Sequence, residues 1–254
     1  MDAKRPRAVF LDIDGTLYSQ DLGGPFADDL EGIARARSGG HRFFLCSGRS
    51  AANIPGELEE AAFYEGLVAG GGAHVLLGGK TLYQNWVDPP LLREITEMFL
   101  ANGKRITFRG DREVYAINRE GEGKLPIYDR DDFALKYPDA HICMITVDKT
   151  LSREQRAFME RRFDLYPQQP HCDCFIKGEC KSRGMRMILD ALGMDRGDSV
   201  ALGDSSNDVD MIQYAGLGIA VGNAVPPLKA LASWISAPCG KGAVVRALEY
   251  AGLC

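Results

Sequence analysis

Short apolar runs that alternate with segments of helical periodicity are the main pattern in this chain. The first run, Ala8–Leu11, contains no polar residue, as expected of a strand buried on both faces of a parallel sheet. Residues 25–37 carry apolar side chains at helical spacing and precede Gly39-Gly40, which predicts a helix and its end. A second apolar run at 43–46, followed by a helix through Glu60, completes the β-α-β pattern of a parallel sheet.

The same pattern returns in the last third of the chain. Lys181 precedes a predicted helix, in which Met185, Ile188, Leu189 and Leu192 fall at positions i, i+3, i+4 and i+7 and which ends at Gly193. The apolar run 199–202 then predicts another buried strand. The remaining predictions for these two regions are strands at 67–69, 217–221 and 234–236, a hairpin about Gly78-Gly79 and a last helix at 242–250.

The middle of the chain mixes helices and short strands in a different pattern. Asp88-Pro89-Pro90 end the preceding regular structure, and a helix is predicted after them at 91–100. A capping box at Ser152 predicts the start of another helix, which extends to about residue 163. Strands are predicted near 105–108, 113–117, 142–147 and up to 176, with irregular structure at 118–137. The predicted fold class is therefore α/β: a doubly wound parallel Rossmann-like core at 1–84 and 177–254, with an inserted α+β cap domain at 85–176.

Composition and charge exclude several classes of function. The chain has 254 residues, 45% of them hydrophobic, which is enough for a buried core and a second module. Its net charge of -5 argues against a nucleic-acid or anionic-membrane binder, since both require clustered positive charge. No apolar run approaches the ~20 residues of a membrane span, and only four apolar residues follow Arg7, too few for a signal peptide. We therefore expect a cytoplasmic protein, a monomer or weak homo-oligomer, that binds a small molecule and neither nucleic acid nor membrane.

The seven cysteines indicate reduced thiols rather than a disulfide framework, because their number is odd. Cys172, Cys174 and Cys180 lie close to His171 in sequence, which leaves a zinc site as one interpretation. No second Cys/His cluster of recognised spacing accompanies them. Strand alternation places Cys172, Cys174 and Ile176 on one face, so buried cysteines are the favoured interpretation.

An acidic pair ends the first apolar run. In an extended chain Asp12 and Asp14 point the same way, and Gly15 permits a sharp turn after them. Two such anions repel unless a cation lies between them, and Mg²⁺ prefers one or two carboxylates together with phosphate oxygens. A solvated Asp-Gly turn is the alternative. A calcium loop is excluded, because its sixth and twelfth positions would be Leu17 and Gly23 instead of Gly and Glu.

Two further segments place polar residues where strands end or helices begin. Ser47-Gly48 follows the second apolar run and suits a phosphate oxygen, bound by the hydroxyl and a backbone N–H. Lys181 supplies the positive charge that phosphoryl transfer needs where negative charge gathers. Each segment taken alone is more often structural than functional, as ordinary turn chemistry or a solvated lysine.

The strand at 199–202 opens into another acidic segment, residues 203–208. Asp204 and Asp208 are candidate metal ligands, and Asn207 is a candidate hydrogen-bond donor to a phosphoryl oxygen. Gly-Asp after a strand is a common turn, yet the ordered set of four segments is hard to obtain by chance.

In this order, the segments resemble the four motifs of the haloacid dehalogenase-like (HAD) hydrolase superfamily. Residues 12–17 are similar to its first motif, Ser47 to its second, Lys181 to its third and residues 203–208 to its fourth. The long insertion between Ser47 and Lys181 resembles the Cof-like subclass with its type IIB cap. Two departures are visible, since Gly71 stands where Asn is usual and Ser47 where Thr is commoner.

The resemblance implies a Mg²⁺-dependent phosphatase that hydrolyses a small phosphorylated metabolite, such as a sugar phosphate, through an aspartyl-phosphate intermediate. It makes Asp12 the nucleophile and Asp14 the general acid and base. It also implies that Asp12 and Asp204 bind the cation by side chain and Asp14 by backbone carbonyl. Asp208 is then a further ligand or a residue that contacts the ligands without binding the cation.

Two other functions stay open. A phosphatase for a glycosyl phosphate, of the sucrose or mannosylglycerate type, shares the insertion. A non-catalytic phospholigand-binding regulatory protein on the same fold is expected to lack the nucleophile or the acid, and Asp12 and Asp14 are both present.

Overall fold

The computed structural model describes residues 5–19, 21–118, 123–168 and 170–254. The chain forms two compact units. The core unit comprises the chain up to Ser47 together with Pro55–Tyr83 and Cys180–Cys254, and the inserted unit comprises Gly48–Ile54 and Gln84–Glu179. No helix in the described ranges is long and apolar enough to cross a membrane.

The predicted strands in the first and last parts of the chain are confirmed to within a residue. In chain order, the strands are β1 (Ala8–Leu11), β2 (Arg42–Cys46), β3 (Gly66–Ala69), β4 (His74–Leu77), β5 (Lys80–Gln84), β6 (Ile106–Gly110), β7 (Val114–Ile117), β8 (Leu125–Pro126), β9 (Ile142–Asp148), β10 (Phe163–Pro167), β11 (His171–Ile176), β12 (Ser199–Gly203), β13 (Leu217–Ala220) and β14 (Trp234–Ile235). The helices are α1 (Ala27–Ser38), α2 (Gly56–Ala61), α3 (Pro89–Ala101), α4 (Asp132–Leu135), α5 (Arg153–Glu160), α6 (Lys181–Leu192), α7 (Val209–Tyr214), α8 (Pro226–Leu231) and α9 (Ala243–Tyr250).

The core unit is built on an eight-stranded sheet with the order β14-β13-β12-β1-β2-β3-β4-β5. The strands from β14 to β3 pair in parallel, and β4 turns back antiparallel to β3. β1 lies between β12 and β2, with Leu11 in register with Leu202 on one side and Leu45 on the other. Because the chain order changes direction at β1, the carboxyl ends of these strands form the edge at which open α/β sheets bind ligands.

Both faces of β1 are buried, which explains its unbroken apolar sequence. Ala8 and Phe10 face one side, Val9 and Leu11 face the other, and all four are fully buried. On the first side the sheet packs in one cluster with apolar residues of α6, among them Met185. α1 contacts both β2 and α9. The predicted α/β fold class is confirmed.

The predicted helix through Glu60 is wrong in one respect, because Pro55 divides it. A 3₁₀ turn at Ala51–Asn53 precedes the proline and α2 follows it, since proline lacks the N–H that a continuing helix needs. The turn belongs to the inserted unit and α2 to the core unit. The pattern also misses α7 and α8, because helices of six residues are too short to show a periodicity.

The inserted unit has a six-stranded sheet with the order β10-β11-β9-β6-β7-β8. The pairs are antiparallel apart from that of β7 with β8. Phe108 and Ile145 are cross-strand partners and pack in one apolar cluster with Phe99 of α3 and Met159 of α5. Helices on a mostly antiparallel sheet make this unit α+β, as predicted.

The capping box predicted at the start of α5 is confirmed. Ser152 Oγ accepts from the Gln155 N–H at 3.1 Å, and Gln155 Oε1 accepts from the Ser152 N–H at 2.9 Å. The helix ends at Glu160 rather than near residue 163. The reason is that Phe163 is buried at the start of β10.

Two other details of the inserted unit differ from the prediction. Pro89 and Pro90 occupy the first turn of α3 instead of preceding the helix, a position in which the missing N–H costs nothing. Residues 118–137 were expected to be irregular, but their described part contains β8 and the single turn α4. Residues 119–122 of that segment lie outside the described ranges.

All seven cysteines are free, as predicted. Cys172 and Cys174 belong to the apolar cluster of the inserted unit, and Ile176 packs against it. The favoured interpretation of buried cysteines is therefore confirmed. No cysteine or histidine belongs to a group with metal-binding geometry in the part of the chain that is described.

Candidate active site

The turn after β1 places Asp12 inside the core unit and Asp14 at its surface. The Asp12 N–H donates to Leu202 O at 3.0 Å, which extends the pairing of β1 with β12 by one residue. Across the turn the Gly15 N–H donates to Tyr18 O at 2.8 Å, and Gly15 has a φ of 80°, which L side chains rarely adopt. Asp12 is 4% exposed, whereas Asp14 is exposed to solvent. The two acids therefore have different environments.

Lys181 is the first residue of α6, and its ammonium group lies between two carboxylates. Its Nζ donates to Asp12 Oδ1 at 2.7 Å and to Asp208 Oδ1 at 2.5 Å. The lysine is 1% exposed. Burial alone would lower its pKa, but the charges of Asp12 and Asp208 outweigh burial and hold the pKa well above its usual value. Lys181 is therefore a fixed positive charge in this site.

Asp208 holds the loop after β12 in shape. Its Oδ2 accepts from the N–H groups of Asp204 and Ser205, each at 2.9 Å, while its Oδ1 accepts from Lys181. The loop and the carboxylate pack so closely that a Cβ atom at Gly203 would lie 2.6 Å from Asp208 Cγ. Because both oxygens already have donors, Asp208 organises the lysine and the loop.

Ser47 and Asn207, two of the predicted phosphate-binding residues, lie in segments that follow β2 and β12. Ser47 is 1% exposed, and its N–H donates to Val68 O at 2.8 Å. Asn207 Oδ1 accepts from the Ser205 hydroxyl at 2.7 Å, so its NH₂ group remains the donor end of the side chain. Gly48 follows Ser47 in the chain and begins a segment of the inserted unit.

Asp12, Asp204 and Asp208 form a group with metal-binding geometry. Each offers one oxygen, and the three atoms lie within 4.8 Å of one another. Asp204 Oδ1 is buried and has no hydrogen-bond partner in the described residues. Burial, followed by the charge of Asp208, raises the pKa of Asp204 to about 7, and the same two causes raise the pKa of Asp12. A divalent cation would satisfy the unpartnered oxygen, and a set of carboxylate oxygens suits Mg²⁺.

The Asp14 side chain is not a member of this carboxylate group. The family resemblance assigns it a backbone carbonyl, not a side-chain oxygen, as metal ligand. Its negative charge nevertheless contributes to the raised pKa of Asp204, so the two carboxylates are electrostatic neighbours.

Two contacts that sequence reasoning missed hold the Gly15 turn in place. A Cβ atom at Gly15 would lie 2.3 Å from Asp204 Oδ2, so this carboxylate packs directly on the glycine. Asn223 Nδ2 donates to Gly15 O at 2.8 Å, and Asn223 Oδ1 accepts from the Cys239 N–H at 2.7 Å. Asn223 lies between β13 and α8, where asparagine is ordinary turn chemistry, so the sequence carries no signal for this role.

Similarity to known proteins identifies the family. The sequence model of a family described as haloacid dehalogenase-like hydrolase matches residues 9–248. The chain belongs to this haloacid dehalogenase-like hydrolase family. The matched region includes Asp12, Ser47, Lys181 and Asp204.

One relative and two solved structures match the chain over nearly its whole length. "Putative phosphatase YkrA" of Bacillus subtilis is 27% identical over 100% of this chain and 99% of its own. A hypothetical protein from Geobacillus kaustophilus has a TM-score of 0.86 at 24% identity, covering 98% of this chain and 100% of its own. The sugar phosphatase BT4131 of HAD subclass IIB has a TM-score of 0.83 at 20% identity, with the same two coverages, 98% and 100%. The predicted resemblance, including the Cof-like subclass, is confirmed, whereas the roles of individual residues stay predictions.

Proposed function

We propose that this protein is a Mg²⁺-dependent phosphatase that hydrolyses a small phosphorylated metabolite through an aspartyl-phosphate at Asp12. The observation that carries the proposal is the ion pair of Asp12 with Lys181, beside a buried Asp204 oxygen that has no partner in the described residues. Together these side chains supply a carboxylate nucleophile, a fixed positive charge and metal-ligand oxygens.

Asp12 and Asp204 would hold the cation through their side chains, and Asp14 through its backbone carbonyl. The oxygens of Asp208 already accept from Lys181 and from two loop N–H groups, which favours a supporting role for Asp208 over direct ligation. When bound, Mg²⁺ withdraws charge from the phosphoryl oxygens, which otherwise repel an anionic nucleophile.

In the first step, an oxygen of Asp12 attacks the phosphorus, and the bond from phosphorus to the organic oxygen breaks. Lys181 holds Asp12 Oδ1 at 2.7 Å, which fixes the orientation of the attacking carboxylate. Asp14 donates its proton to the leaving oxygen as the bond breaks. The product of this step is the aspartyl-phosphate at Asp12.

The second step removes the phosphoryl group from Asp12. Asp14, now deprotonated, accepts a proton from a water molecule, whose oxygen attacks the phosphorus. The bond from phosphorus to the Asp12 oxygen breaks and inorganic phosphate leaves. Asp12 is a carboxylate again, and Asp14 carries the proton for the next turnover.

Four groups are proposed to hold the phosphoryl oxygens. The Ser47 hydroxyl and the Gly48 N–H would donate together at the end of β2, and the Asn207 NH₂ group would donate from the loop after β12. Lys181 adds a positive charge that burial keeps free of solvent screening.

The proposed substrates are sugar phosphates or similar phosphoesters. One solved structure of the same fold, BT4131, is named as a subclass IIB sugar phosphatase, and YkrA is named as a "putative phosphatase" without a substrate. Residues 85–176 are proposed as the cap domain that selects among organic groups, as the insertion between Ser47 and Lys181 predicts.

The test is a panel of phosphorylated metabolites, including glycosyl phosphates, assayed with purified protein in Mg²⁺ and in chelator. We expect hydrolysis of at least one sugar phosphate, lost in chelator and in Asp12→Asn. Hydrolysis confined to glycosyl phosphates would identify the alternative phosphatase. Binding of phosphate esters without any turnover would contradict the proposal and favour the regulatory protein.

A further inference from the structure

The amino end of α6, which carries Lys181, is capped by a side chain from another helix. The N-cap residue is Cys180, whose side chain makes no capping hydrogen bond, as expected of a thiol, which is a weak acceptor. The N–H of the second helical residue, Ser182, instead donates to Asp210 Oδ2 at 2.6 Å. Asp210 is half-buried on α7, which contacts α6.

Asp208 contacts the side chain of Lys181, and Asp210 contacts the peptide group that follows it. Asp208 accepts from the Lys181 ammonium at 2.5 Å, and Asp210 accepts from the backbone N–H of the next residue, Ser182, at 2.6 Å. The two acids are separated by one residue at the start of α7. The segment 208–210 therefore contacts both the ammonium group of Lys181 and the backbone at the start of α6.

A lysine side chain has four flexible methylene groups, so its ammonium is well placed only when its backbone is well placed. A carboxylate at a helix N-terminus satisfies an otherwise unpaired N–H and interacts favourably with the helix dipole. A displacement of about 1 Å in a reacting group lowers a rate by roughly 100-fold. The contact of Asp210 with Ser182 is thus able to affect turnover beyond its effect on stability.

We infer that Asp210 is a positioning residue, which holds the first turn of α6 so that the Lys181 ammonium stays between Asp12 and Asp208. The inference rests on the proposed phosphatase function for its effect on turnover. Its structural part, the placement of the ammonium group, can be measured without turnover.

The chain offers a matched control for a carboxylate that caps another helix. Asp29 on α1 is buried, and its Oδ1 accepts from the N–H groups of Val244 and Val245, each at 2.9 Å, at the start of α9. α9 carries none of the proposed site residues. Asp29→Ala therefore removes the same kind of cap from the same unit without affecting Lys181.

The experiment compares Asp210→Ala, Asp210→Asn and Asp29→Ala with wild type for kcat and KM on an aryl phosphate and for thermal stability. An asparagine keeps an oxygen that can accept from Ser182, so Asp210→Asn should stay within about threefold of wild-type kcat. Asp210→Ala should lower kcat by roughly tenfold or more through misplacement of Lys181. Asp29→Ala should lower the melting temperature and leave kcat within about twofold of wild type.

A second measurement follows the Lys181 ammonium directly, by NMR of protein labelled with ¹⁵N-lysine and assigned with Lys181→Arg. A buried ammonium with two carboxylate acceptors exchanges its protons slowly, and we expect faster exchange in Asp210→Ala but not in Asp29→Ala. Wild-type exchange and wild-type kcat in Asp210→Ala would overturn the inference, as would equal losses in Asp29→Ala. If wild type hydrolyses nothing, the proposed function fails, and the ammonium signal still decides whether Asp210 positions the lysine.

Discussion

The ammonium of Lys181 lies 2.7 Å from Asp12 Oδ1, and the two side chains are buried together. Asp208 accepts from the same ammonium at 2.5 Å, so one cation serves two buried anions. Taking charges out of water is costly, and the cost is offset only while the charges stay paired. The lysine is therefore part of the fold as well as part of the proposed chemistry.

Replacing Lys181 with methionine should destabilise the protein. The variant leaves Asp12 and Asp208 buried without their ammonium, and breaking a buried ion pair costs about 3–5 kcal/mol in the free energy of unfolding. Denaturant unfolding without metal measures this loss, and inhibition by inorganic phosphate should weaken in the same variant. Lys241→Met, at an exposed position, is the control. Equal unfolding free energies and equal phosphate inhibition in the two variants would contradict the roles of Lys181 in pairing the buried carboxylates and in binding phosphate.

Asp12→Asn should keep the fold and abolish turnover. An amide accepts a hydrogen bond from Lys181 but cannot form the aspartyl-phosphate, so kcat should fall by roughly 1000-fold or more. Mass spectrometry of wild type quenched during turnover should find a labile phosphate on the peptide that contains Asp12. Turnover by the variant within about tenfold of wild type would exclude Asp12 as the nucleophile.

The sequence predicts which residues of the site meet, but not how they are held. Asp12 and Asp204 can be predicted to meet, because apolar runs mark buried parallel strands whose carboxyl ends share one edge of the sheet. The place of Lys181 beside them was predicted from the family resemblance. The contacts of Asp210 and Asn223 were missed, because each joins segments far apart in the chain. Neither residue departs from ordinary helix or turn chemistry, so no local pattern marks it.

The solvent exposure of each site residue could not be predicted from the sequence either. A lysine that starts a helix is usually solvated, yet Lys181 is 1% exposed because Asp12 and Asp208 surround its ammonium. Asp12 and Asp14 share one motif, yet the first is buried and the second is exposed. Burial depends on contacts made by distant segments, whereas strand and helix positions follow from local periodicity.

Asp14→Asn should slow substrates with poor leaving groups more than substrates with good ones. The proton that Asp14 is proposed to donate matters for a sugar alkoxide, whereas an activated phenolate leaves without it. The ratio of kcat/KM between a sugar phosphate and an aryl phosphate should therefore fall in the variant relative to wild type. An unchanged ratio would argue against Asp14 as the general acid.

Removing the cation should make the free energy of unfolding depend on pH through Asp204. The pKa of Asp204 is raised to about 7 in the folded protein, whereas aspartate in an unfolded chain titrates near ~3.9. Between these values the folded state holds more protons than the unfolded chain, so stability falls as pH rises and stays low above about 7.

The measurement is thermal unfolding of chelated wild type and Asp204→Asn at about pH 5.5 and about pH 8. Wild type should lose more stability than the variant between the two pH values, because asparagine does not titrate. Excess Mg²⁺ should restore wild type at the higher pH, since the cation binds the deprotonated carboxylate. If wild type and Asp204→Asn show the same pH dependence of stability, Asp204 is not its cause.

Gly15→Ala should weaken metal binding through Asp204. A Cβ atom at Gly15 would lie 2.3 Å from Asp204 Oδ2, so the carboxylate must move, and the positive φ of 80° adds backbone strain. Displacing this proposed metal ligand should lower the affinity for Mg²⁺ by roughly tenfold or more, measured by calorimetry and by the Mg²⁺ concentration for half-maximal activity.

Gly23→Ala is a control that distinguishes the two effects of Gly15→Ala, the displaced carboxylate and the backbone strain. Gly23 also has a positive φ, of 71°, but a Cβ atom there would have no neighbour within 4 Å. Both variants should therefore lose stability by a similar amount, about 1–2 kcal/mol for the left-handed conformation. Only Gly15→Ala should change the affinity for Mg²⁺, because only its methyl group meets an oxygen of a proposed metal ligand. If both variants weaken Mg²⁺ binding equally, strain in the loop is the cause, and the contact between Gly15 and Asp204 does not determine the metal site.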